Sequence, residues 1–171
     1  MIRSGKVVAV SAALVLAAFV FQAGCEPNTR ALFTKPELFR YERLGVLGLN
    51  PEQEQIFMAA YFKTFINQPI TFVERGALAK VIGEQDLLKG RLNDATRARI
   101  KQILGVEALI LCEYYEDAAR PGKAMKLRVR VVDSETGAIV GSVLTENYRN
   151  FDDHARVAVE AIKKDLFSGR A

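Results

Sequence analysis

The chain has 171 residues, half of them apolar, with 24 Lys and Arg against 20 Asp and Glu, a formal charge of +4 and a pI near 9.1. That length makes one domain with a real core, and so small a positive balance is no argument for nucleic-acid binding. One histidine, two cysteines and no Cys/His cluster exclude a structural zinc site on ligand count, and no cofactor is expected.

The first element is a leader. Arg3 and Lys6 precede an apolar run from Val7 to Phe21 in which only Ser11 is polar. The run is long for the apolar part of a signal peptide and short for a spanning helix, which needs about 20 apolar residues. It ends in Phe21-Gln22-Ala23-Gly24-Cys25-Glu26. Ala23-Gly24-Cys25 resembles the bacterial lipobox, although Gln22 stands where that pattern usually has an aliphatic residue. Residues 1–24 are therefore read as a lipoprotein signal peptide, and Cys25 as a new N-terminus carrying acyl chains, palmitate among them. A plain signal anchor with an incidental cysteine is the alternative. Two or more chains hold a protein stably, at about 0.8 kcal/mol per buried CH2. The usual sorting rule keeps Asp-bearing lipoproteins in the inner membrane; Glu26 thus favours the outer membrane, with the domain facing the periplasm. Loss of Arg3 and Lys6 leaves a charge of about +2.

Residues 25–43 read as the lipidated N-terminus and a tether. Leu32, Phe33, Leu38, Phe39 and Tyr41 make it too apolar for an inert linker, so part of it is expected to pack on the domain or on a partner. Leu44 to Leu49 is a short buried strand. Asn50 caps a helix that opens at Pro51, carries Glu52 and Glu54 in its first turn, and turns Ile56, Phe57, Ala60, Tyr61 and Phe65 to one side. Ile70 to Val73 is a second strand. Glu74 to about Leu88 is helical with a break near Gly83. Asn93 caps the next helix, whose stripe is Ile100, Ile103 and Leu104, and Gly105 closes it. Glu107 to Glu116 is a strand with an apolar middle. After a turn at Arg120-Pro121-Gly122-Lys123, Met125 to Val132 alternates, with Met125, Leu127, Val129 and Val131 opposite Lys126, Arg128 and Arg130. Asp133 to Gly137 makes a tight connection to a strand over Ala138–Tyr148. The last helix starts near Phe151 and spaces Ala155, Val159, Ile162 and Leu166 along one face. The order β-α-β-α-α-β-β-β-α means an α/β (α+β) domain: a mixed sheet with an antiparallel C-terminal meander and helices packed on it.

Chemistry has little foothold in this pattern. His154 reads as a surface residue in a first helical turn. Gly45-Val46-Leu47-Gly48 lacks the Lys-Ser/Thr of a phosphate loop and runs into Pro51. Glu113, Glu116 and Asp117 read as solvated residues at a strand end; a hydrolase using Glu113 or Glu116 is a weak alternative. Cys112 sits in an apolar strand and is expected to be a small core residue, though a lone cysteine in an exported chain could also be a free thiol or an intermolecular bridge. Lys126, Arg128 and Arg130 share one sheet face about 6–7 Å apart. They suit a polyanion, a lipid headgroup or an acidic partner, or else pair with Glu113 and Glu146 on neighbouring strands.

Three segments carry a resemblance. Thr71-Phe72-Val73-Glu74-Arg75-Gly76-Ala77-Leu78 followed by Ile82-Gly83-Glu84-Gln85, then Leu104-Gly105-Val106-Glu107-Ala108, then Val131-Val132-Asp133-Ser134-Glu135-Thr136-Gly137, resemble in order and spacing the motifs of the CsgG-type lipoproteins. The resemblance covers about residues 44–168. It implies a periplasmic domain like the N-terminal domain of TolB, in a family that includes the curli secretion pore and the Lpo-type activators of peptidoglycan synthases. It carries no catalytic residues, and it gives Glu74, Arg75, Gly105, Asp133 and Gly137 structural roles, with Glu74 and Arg75 capping and pairing at a strand-to-helix turn. The curli pore adds long hairpins whose spanning strands need roughly 9–11 residues each; the connections at Ala118–Ala124 and Asp133–Gly137 are too short for them. The expectation is a non-catalytic adaptor or assembly factor for an envelope complex, held to the membrane through Cys25 and binding an envelope protein, without nucleic acid. The alternative is a homo-oligomeric ring component of a curli-type secretion apparatus.

Overall fold

The computed structural model describes residues 27–33, 41–90, 92–119, 121 and 124–168. Six strands form one sheet: β1 (Asn28–Phe33), β2 (Arg43–Leu47), β3 (Thr71–Phe72), β4 (Ala108–Glu116), β5 (Met125–Asp133) and β6 (Ile139–Glu146), in the order β1-β6-β5-β4-β2-β3. Pairing is antiparallel from β1 through β6 and β5 to β4, and parallel from β4 to β2 and β3. The helices are α1 (Pro51–Thr64), α2 (Arg75–Ile82), α3 (Glu84–Lys89), α4 (Asp94–Leu104) and α5 (Phe151–Ser168). The expected α/β class, mixed sheet and C-terminal meander are all present.

Local chemistry sets the element ends. Asn50 Oδ1 accepts from the Gln53 N–H at 2.9 Å while Gln53 Oε1 accepts from the Asn50 N–H at 3.2 Å, a reciprocal capping box at the start of α1. Asn93 accepts from the Thr96 N–H at 2.8 Å and starts α4. The expected break falls at Gly83, which separates α2 from α3 at φ +84. Gly48 has a packing reason instead. Its φ is +89, and a Cβ there would lie 1.9 Å from the Cys112 carbonyl oxygen, so the turn leaving β2 can press against β4 only with glycine.

The sheet has two apolar faces of unequal cover. On one, α1 and α5 pack Phe57, Tyr61, Ala155, Val159 and Ile162 over Leu44, Val46, Ile110, Cys112, Leu127, Val129, Val131 and Val143. On the other, α2, α3 and α4 place Leu78, Leu87 and Ile100 over Leu47, Leu109, Leu111 and Val132. Among the described residues the second layer stops at β4 and the end of β5, and no helix lies over the rest of that face of β5, β6 and β1. Alternation in β5 follows from this: Leu127, Val129 and Val131 are buried, while Arg128 is exposed.

Two expectations need correction. Ile103 was placed on the buried stripe of α4, yet it is 59% exposed; only Ile100 is fully buried, because α4 meets the sheet along a narrow line. The segment read as a tether does pack on the domain, as expected of part of it, but as a strand over Asn28–Phe33. It pairs along its whole length with β6, and Ala31 packs against the α5 side of the core. Residues 1–26 and 34–40 lie outside the described residues, and so do Arg120, Gly122 and Lys123 of the expected β4–β5 turn.

Candidate functional site

Cys25, the expected lipidation site, lies outside the described residues. The described chain starts two residues later and enters β1 at Asn28. Asn28 opposes Glu146, Glu146 opposes Lys126, and Lys126 opposes Tyr115, so one row crosses β1, β6, β5 and β4 at the same end of the sheet. The β4–β5 and β6–α5 connections leave from that end. The β5–β6 hairpin lies at the other.

The stripe of Lys126, Arg128 and Arg130 does lie on the uncovered sheet face, but its charges are engaged. Lys126 Nζ is 2.8 Å from Glu146 and 3.3 Å from Asp117. The Glu146 hydrogen bond is the larger of the effects that raise its pKa. Arg128 reaches Glu113 at 3.1 Å and lies over the Tyr115 ring, 5.5 Å from its centre. Arg130 reaches the other oxygen of Glu113 at 2.6 Å. Glu113 thus bridges two guanidiniums, the cross-strand pairing the alternation allowed for. Arg30 and Leu32 of β1 extend this face; Leu32 is 77% exposed.

The CsgG-type motif residues occupy element junctions. Arg75, at the start of α2, donates to the Leu49 carbonyl at 2.9 Å and to Glu54 at 2.6 Å, and its Nη2 also pairs with Glu84. One guanidinium therefore ties β2's exit, α1, α2 and α3 together. Glu54 is buried; desolvation raises its carboxyl pKa and Arg75 opposes that rise. Glu74 precedes α2 but makes no side-chain cap, so the capping given to it by the resemblance is not its contact here. Gly105 is the left-handed C-cap of α4. Asp133 sits in the β5–β6 hairpin. Burial would raise its pKa, but the Tyr41 hydroxyl at 2.6 Å and the Thr136 and Glu135 donors outweigh it and hold the group at about 2. Gly137 closes the hairpin at φ +73 beside Arg97, which donates to the Ser134 and Glu135 carbonyls, both at 2.6 Å.

His154 overturns the surface expectation. It is fully buried, with Nδ1 2.6 Å from the Thr145 hydroxyl and its ring edge-on to Tyr114 and Tyr148. Nε2 is buried with no hydrogen-bond partner among the described residues. Burial lowers the imidazole pKa, against a smaller opposing effect of Asp153. The signal was present in the sequence: Phe151, His154, Ala155, Ala158, Val159 and Ile162 keep one helical stripe, and extending it back one turn reaches the histidine. Glu54 was missed in the same way, since it shares a face with Phe57 and Tyr61.

The remaining chemical candidates are spread apart. Glu113 and Glu116 lie three apart on β4 and so point to opposite faces, which separates the carboxylates of the hydrolase alternative. Asp117 is buried rather than solvated, accepting from the Ala119 N–H at 3.1 Å beside Lys126. Cys112 is buried, and its thiol pKa is pushed up chiefly by desolvation. Among the described residues no three His, Cys, Asp or Glu side chains converge as a metal site would need, and no helix is long and apolar enough to cross a membrane. An open groove of about 530 Å³ lies between α1 and α5, with Ile56 and Ala60 in its wall and Lys63, Arg156, Glu160 and Lys163 along it.

No protein-family model and no curated protein sequence matches the chain. Solved structures similar to it include the PelC dodecamer from Paraburkholderia phytofirmans, at 12% identity and TM-score 0.49, covering 82% of this chain and 97% of that one. The LpoB C-terminal domain from Salmonella enterica is similar at 15% identity and TM-score 0.47, covering 63% and 83%. Lipoprotein GNA1162 from Neisseria meningitidis is similar at 13% identity and TM-score 0.44, covering 74% and 98%. These scores fall short of placing the chain in any of those families.

Proposed function

We propose that this chain is an outer-membrane lipoprotein whose domain, facing the periplasm, acts as a non-catalytic adaptor or assembly factor in an envelope complex. The run from Val7 through Ala23-Gly24-Cys25 carries the reading, because it provides both an export signal and a residue to acylate. The order of the CsgG-type motifs over residues 44–168 supports it. So does the state of the reactive side chains: Glu113 is held by two arginines, and His154 and Cys112 are sealed in the core. What the domain offers a partner is surface, namely the groove between α1 and α5 and the uncovered face of β1, β6 and β5.

The test is mass analysis of the N-terminal peptide from protein made in a Gram-negative host, with crosslinking and capture from the envelope. An acylated Cys25 and one recurrent envelope partner are expected. Cys25→Ser should leave the membrane fraction with its circular dichroism unchanged. An unprocessed leader in the membrane overturns the lipoprotein reading. An acylated protein that crosslinks to nothing, or only to itself, overturns the adaptor reading; the self-crosslinked case leaves the ring.

A further inference from the structure

The distance along the chain from Cys25 to the sheet sets how the domain stands on its membrane. Only Glu26 and Pro27 lie between Cys25 and Asn28, three steps along the chain, and Asn28 is already paired with Glu146. Three steps reach at most about 10 Å when fully extended. The headgroup layer outside the hydrocarbon is itself roughly 5–8 Å thick on each side of a bilayer. An acylated Cys25 at the hydrocarbon boundary therefore leaves only a few ångströms between the headgroups and β1.

We propose that the domain rests on the phospholipid headgroup layer by this one end of the sheet, an inference that depends on the lipoprotein reading above. The surface is built from Pro27 and Asn28 at the start of β1, Ala118, Ala119 and Pro121 after β4, and Arg149 and Asn150 between β6 and α5. All of these are exposed. Ala118, Ala119 and Pro121 are small and exposed and can approach the headgroups closely, and Arg149 is exposed where it can meet lipid phosphates. In the sequence the β4–β5 turn also holds Arg120 and Lys123, against Glu116 and Asp152 beside it, and the short chain to Cys25 supplies the proximity. The far end follows from the same geometry. β5 runs from Met125 to Asp133, and its nine residues span roughly 27 Å. That lifts the β5–β6 hairpin and Arg97 clear of the bilayer and turns them toward the periplasm.

The experiment uses the full acylated protein in vesicles of phosphatidylethanolamine and phosphatidylglycerol that contain a headgroup spin-labelled lipid. An environment-sensitive fluorophore is attached through Ala119→Cys in one variant and Glu135→Cys in another; Cys112 is buried and stays unlabelled. The Ala119 site should be quenched several-fold more than the Glu135 site. A flexible Gly/Ser linker inserted between Glu26 and Pro27 should remove most of that difference. Equal quenching at the two sites, or stronger quenching at Glu135, in protein shown by mass to be acylated overturns the docking and leaves the lipoprotein reading intact. A preference unchanged by the linker overturns the argument from chain length. Protein lacking the acyl chains overturns the lipoprotein reading and the docking with it.

Discussion

His154 sits in the first turn of α5 with one nitrogen on Thr145 and the other buried without a hydrogen-bond partner among the described residues. Charging that ring would place a cation among Tyr114, Tyr148 and Phe151. Its folded pKa lies below the ordinary value of 6.5, so between the two values the unfolded chain binds more protons, and stability is lost as the pH falls. The thermal midpoint should drop between pH 7 and pH 5, and His154→Phe should flatten that drop. Asp133, held at about 2, gives up its contribution only below the ordinary carboxylate range, and Glu54, raised by burial, slopes the other way. The difference between wild type and variant therefore reports the histidine; equal slopes would remove this explanation. Gly48 gives a second outcome at single-residue scale. Gly48→Ala meets a backbone carbonyl at 1.9 Å and should cost more than about 4 kcal/mol in urea unfolding or prevent folding. Gly83→Ala has a similar φ of +84 and nothing within 4 Å, so it should cost only the strain of about 1–3 kcal/mol.

At the scale of elements, β1 and Arg75 perform comparable tasks. β1 is an edge strand separated in sequence from its partner by more than a hundred residues. It is held by ladder bonds to β6, by contacts with α5, and by the Thr29 hydroxyl 2.8 Å from the Tyr148 hydroxyl. Among its described side chains, Ala31 packs against the core. Ala31→Asp would put a carboxylate against that apolar layer, and β1 should detach while the rest of the sheet stays folded. Hydrogen exchange would then show lost protection confined to β1 and the β6 amides that face it, whereas unchanged protection would mean that the strand is not held through Ala31. Arg75 works inside the fold. Without it, Glu54 would be a buried carboxylate with no cation, and α1, α2 and α3 would share no polar tie at the exit of β2.

At the scale of the molecule, the described residues make three layers at β2 and β4 and two at β5, β6 and β1. Among the described residues the open face of the two-layer half carries Arg30, Lys126, Arg128 and Arg130, and Glu113 and Glu146 answer the last three. Polyanion binding should therefore be weak until that balance is broken. Glu113→Gln should change stability by no more than about 1 kcal/mol, because the pairs are partly exposed. It should also raise the salt needed to elute the protein from heparin, and an unchanged elution would show that this face is not what heparin reads. The α/β class, the antiparallel meander, the caps at Asn50 and Asn93 and the alternation of β5 were legible in the residues themselves, since each depends on neighbours within a few positions. The pattern that suggests a leader ending at Cys25 is local too, and it lies outside the described residues. Contacts across the chain decided the rest. Only packing shows that Asn28–Phe33 completes the sheet as β1, that His154 is sealed under Tyr114 and Tyr148, and that Arg75 reaches Glu54 and the exit of β2. A strand, a surface histidine and an exposed arginine have the same local periodicity whether or not something distant covers them. What covers them is set by which faces meet when the sheet and its helices close on one another.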